Sequence, residues 1–291
     1  MRGGHAVNVD VKVAAKTDAA FALASDSAQA GLAVVRVSGP GARAALESLT
    51  DRPVPEARRL VVRRLADPAS GEAIDRSMVA WFPGPRSFTG EDVAEFHVHG
   101  GNAVVAGLSA ALDRLGVRLA EPGEFSRRGF QNGQFDLAEL EGLADLVEAE
   151  TEMQRRMALR QMDGHLSLQC EQWRSRLISA QAWVEAAIDF SDEELPVDLT
   201  ERSQAEVGQI ERDLDAFLAR RHAGERLRDG IQVAIVGPPN AGKSSLINVL
   251  ARRDVAIVAP TGGTTRDLIE AHLDLAGWPV TVIDTAGLRH G

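Results

Sequence analysis

The chain has 291 residues, of which 44% are hydrophobic and 25% charged, and its net charge is −10. This composition is typical of a soluble globular protein and excludes a disordered chain, a collagen and a disulfide scaffold. No run of 18 apolar residues is present and residues 1–16 lack the apolar core of a signal peptide, so we expect no membrane span and no secretory signal. The single cysteine, Cys170, fits a reducing cytoplasm.

The charge is distributed unevenly. Residues 136–229 carry 22 acidic and 11 basic side chains, so this region accounts for the whole negative balance. A basic nucleic-acid-binding protein is therefore not indicated. A local patch of arginines could still bind phosphate, although a solvated face is the favoured interpretation; its members are Arg58, Arg59, Arg63 and Arg64.

Residues 1–17 are expected to form a flexible tail, and residues 18–135 alternate short apolar runs with helical stretches, which predicts a mixed α/β domain. The expected strands are Ala19–Ala24, Gly31–Ser38, Met78–Phe82 and Val93–His99, and the expected helices are Gly41–Leu49 and Asn102–Leu115.

Residues 136–229 show a different pattern, with apolar residues at helical spacing. One stripe contains Trp173, Leu177, Ala180 and Val184, which predicts long helices packed as a bundle, with this stripe and Cys170 in its core. Another stripe contains Leu137, Leu140, Ala144 and Val147. Ser203 and Glu206 have the spacing of a capping box, which predicts a helix start at Ser203.

Residues 230–291 return to an α/β pattern around a phosphate-binding loop. The apolar run Ile231–Val236 leads into Gly237-Pro-Pro-Asn-Ala-Gly-Lys-Ser244, which matches GxxxxGK[ST]. Glycines let the backbone N–H groups surround a phosphate, the next helix presents its positive end, and Lys243 reaches the β- and γ-phosphates. A second strand, Val280–Ile283, leads into Asp284-Thr-Ala-Gly287, whose carboxylate can support Mg²⁺. With the polar loop Gly263-Thr-Thr-Arg-Asp267, these motifs indicate a nucleoside triphosphatase.

Longer segments resemble one family, the tRNA-modification GTPase MnmE, also called TrmE. They are SFTGEDVAEFHVHGG at 87–101, EPGEFSRRGFQNGQFDLAELEGLADLVEAET at 121–151 and VEAAIDFSDEE at 184–194. The likeness covers about residues 18–291. It implies an α/β + α chain with a folate-binding-like N-terminal α/β domain (18–135), a central helical bundle (136–229) and a partial P-loop GTPase domain (230–291).

The resemblance also implies a function. The family binds and hydrolyses GTP and acts with the flavoprotein MnmG to install an aminomethyl-type group, such as carboxymethylaminomethyl, on C5 of the wobble uridine in tRNA. A tetrahydrofolate derivative donates the one-carbon unit, and Mg²⁺ and K⁺ assist GTP hydrolysis. The N-terminal domain binds folate and forms a homodimer.

Residue roles carry over from the matching motifs. The resemblance implies that Ser244 and Thr265 bind Mg²⁺, that Asn240 is linked to K⁺, and that Arg36 and Glu95 contact folate. The family's third folate contact is often a lysine, and this chain has Gln134 there. The implied nucleotide-binding residues are Asn240, Ala241, Gly242, Lys243, Ser244, Ser245, Thr264, Thr265, Asp284, Thr285, Ala286 and Gly287.

The nucleotide-binding region is short for such a domain. It has 62 residues, whereas a GTPase domain of this kind needs roughly 160, within the usual range of domain sizes. The guanine-reading N-K-x-D element is absent, and the family's catalytic glutamate is expected beyond Gly291. The sequence therefore predicts a chain shortened within the GTPase domain, with little or no GTP hydrolysis and a marginally stable 230–291 segment that tends to associate.

Two other functions remain open at this point. The chain could be a folate-binding and dimerisation module without turnover. It could also be a ribosome-assembly GTPase, because the P-loop motifs fit Era- or Der-like proteins as well. The α/β domain of about 120 residues before the P-loop argues against the latter.

Overall fold

The computed structural model describes residues 18–25, 30–189, 198–219, 221–237, 242–243, 245–246, 249–250 and 270–284, with the backbone alone at 221–223, 270 and 284. The chain divides into two compact units, Met1–Asp136 and Leu137–Gly291. The expected tail, residues 1–17, lies outside the described residues. The boundary expected at residue 229, between the helical bundle and the partial GTPase domain, stays a prediction.

The first unit is a six-stranded sheet with helices, which confirms the mixed α/β prediction for this region. The strand order is β3-β4-β5-β2-β1-β6, in which β1 and β6 are parallel and the other neighbours are antiparallel. The elements are β1 Ala20–Leu23, β2 Ala30–Ser38, α1 Ala42–Thr50, β3 Val61–Ala66, β4 Ala73–Phe82, β5 Val93–Gly100, α2 Asn102–Arg114, β6 Arg118–Leu119 and α3 Glu124–Gln131.

Period-two alternation along the strands places the core on one side of this sheet. Alternate residues of β5, Ala94, Phe96 and Val98, are buried, and they pack with α1 and α2 through residues such as Leu46 and Leu108. The opposite side of the sheet carries the residues that alternate with these, such as Glu95 and His97 of β5 and Arg36 of β2. We call this side the open face. The sequence analysis missed β3, β6 and α3.

The second unit is helical at first and then contains a small sheet, which confirms the predicted helices and nucleotide strands. The sheet order is β7-β9-β8, with β7 and β9 parallel and β8 and β9 antiparallel. The elements are α4 Leu137–Glu148, α5 Glu152–Met162, α6 His165–Asp189, α7 Leu199–Leu218, α8 Arg221–Asp229, β7 Ile231–Ile235, β8 Glu270–Leu275 and β9 Trp278–Asp284.

The predicted core stripe of α6 is only half correct. Trp173 and Ala180 are buried, and the Trp173 ring meets Phe217 of α7 edge-on at 5.5 Å. Leu177 is 45% exposed, and Cys170 is exposed rather than in the core. A helix that packs against a partner along a narrow seam buries only part of an apolar stripe, so helical spacing overstates the core.

The predicted capping box at Ser203 is wrong, because α7 begins at Leu199 and Ser203 lies inside the helix. The Ser203 hydroxyl instead donates to the backbone carbonyl of Ala180 at 2.9 Å and is buried. A capping box does occur at the start of α5, where Thr151 Oγ1 accepts from the Gln154 N–H and the Gln154 side chain accepts from the Thr151 N–H.

Candidate functional site

The predicted folate-binding residues Arg36 and Glu95 lie side by side on the open face. Arg36 of β2 is directly opposite Glu95 of β5, and its Nε and Nη2 donate to Glu95 Oε1 at 2.9 and 2.7 Å. The second carboxylate oxygen, Oε2, is 3.2 Å from His97 Nε2. The two side chains are 25% and 14% exposed, so the pair is accessible but fixed in position.

A loop of residues 83–92 covers one side of this pair. The guanidinium carbon of Arg36 lies 5.2 Å from the centre of the Phe88 ring, which is within the range of a cation–π interaction. The Phe88 ring in turn lies 5.1 Å from the Phe135 ring. The arginine is therefore held by a carboxylate on one side and by an aromatic ring on another.

The third predicted residue, Gln134, contacts the same loop. The side-chain amide is oriented so that both its nitrogen and its oxygen have suitable hydrogen-bond partners. In that orientation the nitrogen donates to the carbonyls of Pro85 at 3.1 Å and Ser87 at 3.2 Å. Gln134 precedes Phe135, whose ring contacts Phe88. The three predicted residues are thus connected through the loop, although Gln134 itself bonds to backbone rather than to Arg36 or Glu95.

A buried ionic cluster, which sequence analysis missed, fixes this loop. Arg128 of α3 is 8% exposed and donates to Glu91 Oε2 at 2.9 Å and to Glu124 Oε1 at 2.7 Å. Ser38 donates to Glu91 Oε2 at 3.0 Å and is 2.7 Å from Thr89 Oγ1. Buried charges need such pairing, because removing one partner leaves the other charge without compensation.

The cluster also determines how its groups titrate. Glu124 is 1% exposed and accepts from Arg118 as well as Arg128. Hydrogen bonds, above all the one from Arg118, outweigh desolvation and hold the pKa of Glu124 well below its usual range. Desolvation opposes the charge on Arg128, but its hydrogen bonds to Glu124 and Glu91 still raise its pKa. Glu124 and Arg128 are therefore both ionised at neutral pH.

Two glycines allow the loop and α3 to approach closely. Gly90 has φ 76°, and a Cβ built on it would lie 2.7 Å from Asn132 Cβ. A Cβ on Gly129 would lie 2.8 Å from the Phe88 carbonyl oxygen. Larger side chains at either position would displace Phe88 from Arg36. In the sequence, the ionic cluster and Gly129 belong to the segment GEFSRRG at 123–129. No simple motif rule identifies this segment.

The described members of the predicted nucleotide-binding set follow β7 or end β9: Gly242, Lys243 and Ser245 come after β7, and Asp284 is the last residue of β9. Ile235 at the end of β7 pairs with Asp284 at the end of β9, so the carboxyl ends of the two strands lie at the same edge of the sheet. Gly242 has φ 83°, which favours glycine, and Lys243 Nζ donates to the Gly237 carbonyl at 2.9 Å. The lysine side chain therefore reaches back to Gly237, the first residue of the GxxxxGK[ST] motif.

Only part of the predicted nucleotide set is described. Gly242, Lys243 and Ser245 are placed, and Asp284 is placed through its backbone. The remaining predicted residues lie outside the described residues: Asn240, Ala241, Ser244, Thr264, Thr265, Thr285, Ala286 and Gly287. Within the part of the chain that the structure describes, no helix is long and apolar enough to cross a membrane.

Comparisons with known proteins agree with these features. Residues 19–134 match the family model described as GTP-binding protein TrmE N-terminus, and residues 137–285 match the MnmE helical domain. A tRNA modification GTPase MnmE of Paramagnetospirillum magneticum is 58% identical over 269 residues, which cover 92% of this chain and 61% of that protein.

A mitochondrial relative is similar to the same extent. The human 5-taurinomethyluridine tRNA synthase subunit GTPB3 is 54% identical over 274 residues, or 93% of this chain and 56% of that protein. The chain thus spans about three fifths of the length of the curated relatives it matches. The two matched family models, together with relatives that are 54–58% identical over more than nine tenths of this chain, establish that the chain belongs to the MnmE (TrmE) family.

Proposed function

We propose that the protein is a GTP-binding and GTP-hydrolysing subunit that modifies C5 of the wobble uridine in tRNA. The observation that carries this proposal is the hydrogen bond from Lys243 to Gly237, which follows β7 at the edge where β7 and β9 end, in a chain whose relatives are named tRNA modification GTPases. Lys243 would bind the phosphates of GTP. By resemblance, Ser244 and Thr265 would hold Mg²⁺ and Asn240 would assist K⁺.

The one-carbon unit would come from a tetrahydrofolate derivative bound on the open face. The groups present suit that ligand: Glu95 can accept hydrogen bonds from pterin N–H groups, and the Arg36 guanidinium can donate to ring acceptors or carboxylates. Because the two side chains are already paired, little ordering is needed when the ligand binds. Gln134 would hold the loop that carries Phe88.

The partners follow from the same family role. We propose that the chain acts with an MnmG-type flavoprotein on tRNA in the cytoplasm, as a homodimer through its N-terminal unit. An apolar side chain outside the proposed ligand site supports an interface, since Leu32 of β2 is 46% exposed. The 291-residue chain by itself would hydrolyse little GTP.

A second candidate function is a folate-binding and dimerisation module without GTP turnover. The Arg36 side chain is held in an ion pair at the proposed folate site, whereas β7, which leads into the nucleotide-binding motif, is largely exposed. This contrast favours folate binding over GTP turnover. A ribosome-assembly GTPase is the weaker alternative, because the N-terminal match extends over residues 19–134.

A nucleotide titration separates these functions. Fluorescent GDP and ADP would be titrated into the 291-residue chain and into Lys243→Ala, with Lys16→Ala as the matched control. Guanine-selective binding that is lost in Lys243→Ala supports the GTPase role. Weak binding of both nucleotides that is unchanged by Lys243→Ala contradicts it and favours the module. Potassium-stimulated GTP turnover that is lost in Lys243→Ala would contradict the expected low activity.

A further inference from the structure

The open face carries three successive rows of different chemistry. The first row is the charged pair Arg36–Glu95. The next row is formed by residues directly opposite one another across four strands, Val62, Met78, His97 and Val34, and its exposed part is apolar. In the third row, Arg64 of β3 lies directly opposite Arg76 of β4.

The arginine row is unusual because it places like charges together. Cross-strand neighbours of the same charge destabilise a sheet, and both arginines are exposed. Among the described residues, no carboxylate forms an ion pair with Arg64 or Arg76. The adjacent Asp75 carboxylate is occupied by His99, through Nδ1 at 2.8 Å and the backbone N–H at 2.9 Å. An anion bound between the two guanidinium groups would relieve this repulsion.

Two other arginines of the sequence patch are engaged elsewhere, and Arg63, opposite Ser77 of β4, alternates with Arg64 and so lies on the other side of the sheet. Arg58 donates to the carbonyl of Arg86, and Arg59 pairs with Glu56 at 2.7 Å. The structure therefore leaves Arg64 of the patch on this face and adds Arg76, which follows Arg64 by 12 residues in the sequence. The site that remains is small, faces the same side as Arg36, and belongs to a chain with a net charge of −10.

The spacing between the rows fits an elongated ligand. Ala80 of β4 lies opposite Glu95, and Arg76 is four residue steps away on the same strand. At about 3.3 Å per residue, this step count corresponds to ~13 Å along the strand. One strand step of about 4.8 Å leads sideways from Glu95 to β4. Between the two charged rows, Met78 and Val62 are 40% and 59% exposed. The order is therefore a charged pair, an apolar strip and a pair of cations.

We propose that Arg64 and Arg76 form the subsite for the γ-linked glutamates of a polyglutamylated folate. This inference rests on the proposed folate site at Arg36 and Glu95. With the pterin ring at that pair, the aromatic linker lies along the apolar strip and the glutamate carboxylates reach the arginines. Since β3 is an edge strand, further glutamates can continue past Arg64 into solvent. The overall negative charge would repel such a tail, so a preference for longer tails needs these local cations.

The test compares tail lengths by calorimetry. Monoglutamyl and pentaglutamyl 5-formyltetrahydrofolate would be titrated into the 291-residue chain and into the double variant Arg64→Gln/Arg76→Gln. Arg43→Gln is the matched control, since Arg43 is exposed on α1 and pairs with Glu47. Exposed charge pairs of this kind change binding by a few-fold each, so the pentaglutamate should bind roughly 3- to 20-fold more tightly than the monoglutamate, and the double variant should lose this preference.

The outcomes distinguish the two levels of the proposal. Equal binding of both ligands by the unmodified chain, or a preference that survives in the double variant, overturns the glutamate subsite and leaves the folate site intact. Absence of binding by either ligand contradicts the folate site itself. If the double variant has a changed sedimentation coefficient but still binds the pentaglutamate more tightly, the arginines belong to an interface between copies. That result overturns the subsite. Loss of the preference with unchanged monoglutamate affinity supports it.

Discussion

The six-stranded sheet and the three-stranded sheet support their candidate sites in different ways. Among the described residues, the first packs around a core of 19 buried apolar side chains, and an ionic cluster fixes the loop next to Arg36. In the described part of the second, the core cluster contains four buried residues: Ala271, Leu273, Val280 and Val282. Its strand β7 is exposed along most of its length, with Val233 42% exposed.

This difference indicates where ligand binding is preorganised. Arg36 is held by Glu95, Phe88 and the packing beneath them before any ligand arrives. Lys243, by contrast, bonds to Gly237 at the end of a strand with little apolar cover. We therefore expect changes in the first unit to cost more stability, and changes near the nucleotide strands to affect mainly local order.

The largest expected effect is that of a deletion in the first core. Phe96 is fully buried, and Phe96→Ala should lower the free energy of unfolding of the first unit by about 3–5 kcal/mol through lost burial and a cavity. Hydrogen exchange with mass spectrometry measures each unit separately. Phe130→Ala, at a side chain 42% exposed, is the control and should cost less than about 1 kcal/mol. Similar losses in both variants would show that the core is not the main support.

The next effect comes from the buried ionic cluster. Arg128→Met leaves Glu91 without its arginine and weakens the pairing of Glu124, so it should cost about 2–4 kcal/mol. It should also weaken folate binding, because the loop that carries Phe88 loses its attachment. Arg127→Met, which changes the neighbouring exposed arginine, is the matched control. Folate affinity that is equal in the two variants would contradict the positioning role of Arg128.

A smaller effect is expected in the second unit at the β8–β9 turn. Gly277 has φ 93°, and a Cβ there would lie 2.6 Å from Met153 Cγ. Gly277→Ala should therefore cost about 1–3 kcal/mol through backbone strain and overpacking. Gly224→Ala, where a Cβ meets no atom within 4 Å, is the control, measured by urea denaturation. If Gly277→Ala is as stable as the control, the turn does not pack on α5 as described.

The smallest effect at neutral pH concerns Arg118, which is half exposed. The folded pKa of Glu124 is lowered, so its ionised form stabilises the fold above the unfolded value near 4.5, and this contribution is lost as the pH falls further. Arg118→Gln should raise that folded pKa, so the stability difference from the unmodified chain should shrink below about pH 4.5. Arg127→Gln should show no such convergence. A pH-independent difference for Arg118→Gln would contradict the coupling.

Regular patterns in the sequence predicted most of the helices and strands. They did not predict the side-chain interactions between residues that are distant in the sequence. Short apolar runs predicted β2, β5 and β7. Arg36 and Glu95 entered through family resemblance, but their pairing depends on strand register, which spacing alone does not fix. The cluster joins Arg118, Glu124 and Arg128 to Glu91, and no local rule connects residues that far apart. Cys170 and Ser203 were misjudged because helix packing and a helix start were read from short patterns.

The most direct test of this account is a calorimetric titration of monoglutamyl 5-formyltetrahydrofolate into the 291-residue chain and into Arg36→Gln. Circular dichroism and thermal melting would confirm that both proteins are folded, and Arg43→Gln again serves as the control. We predict one site per chain in the unmodified protein and in Arg43→Gln, and binding at least tenfold weaker in Arg36→Gln, because a charged hydrogen-bonding group is lost. Equal binding by Arg36→Gln, or no binding by the unmodified chain, would contradict a preorganised folate site on the open face.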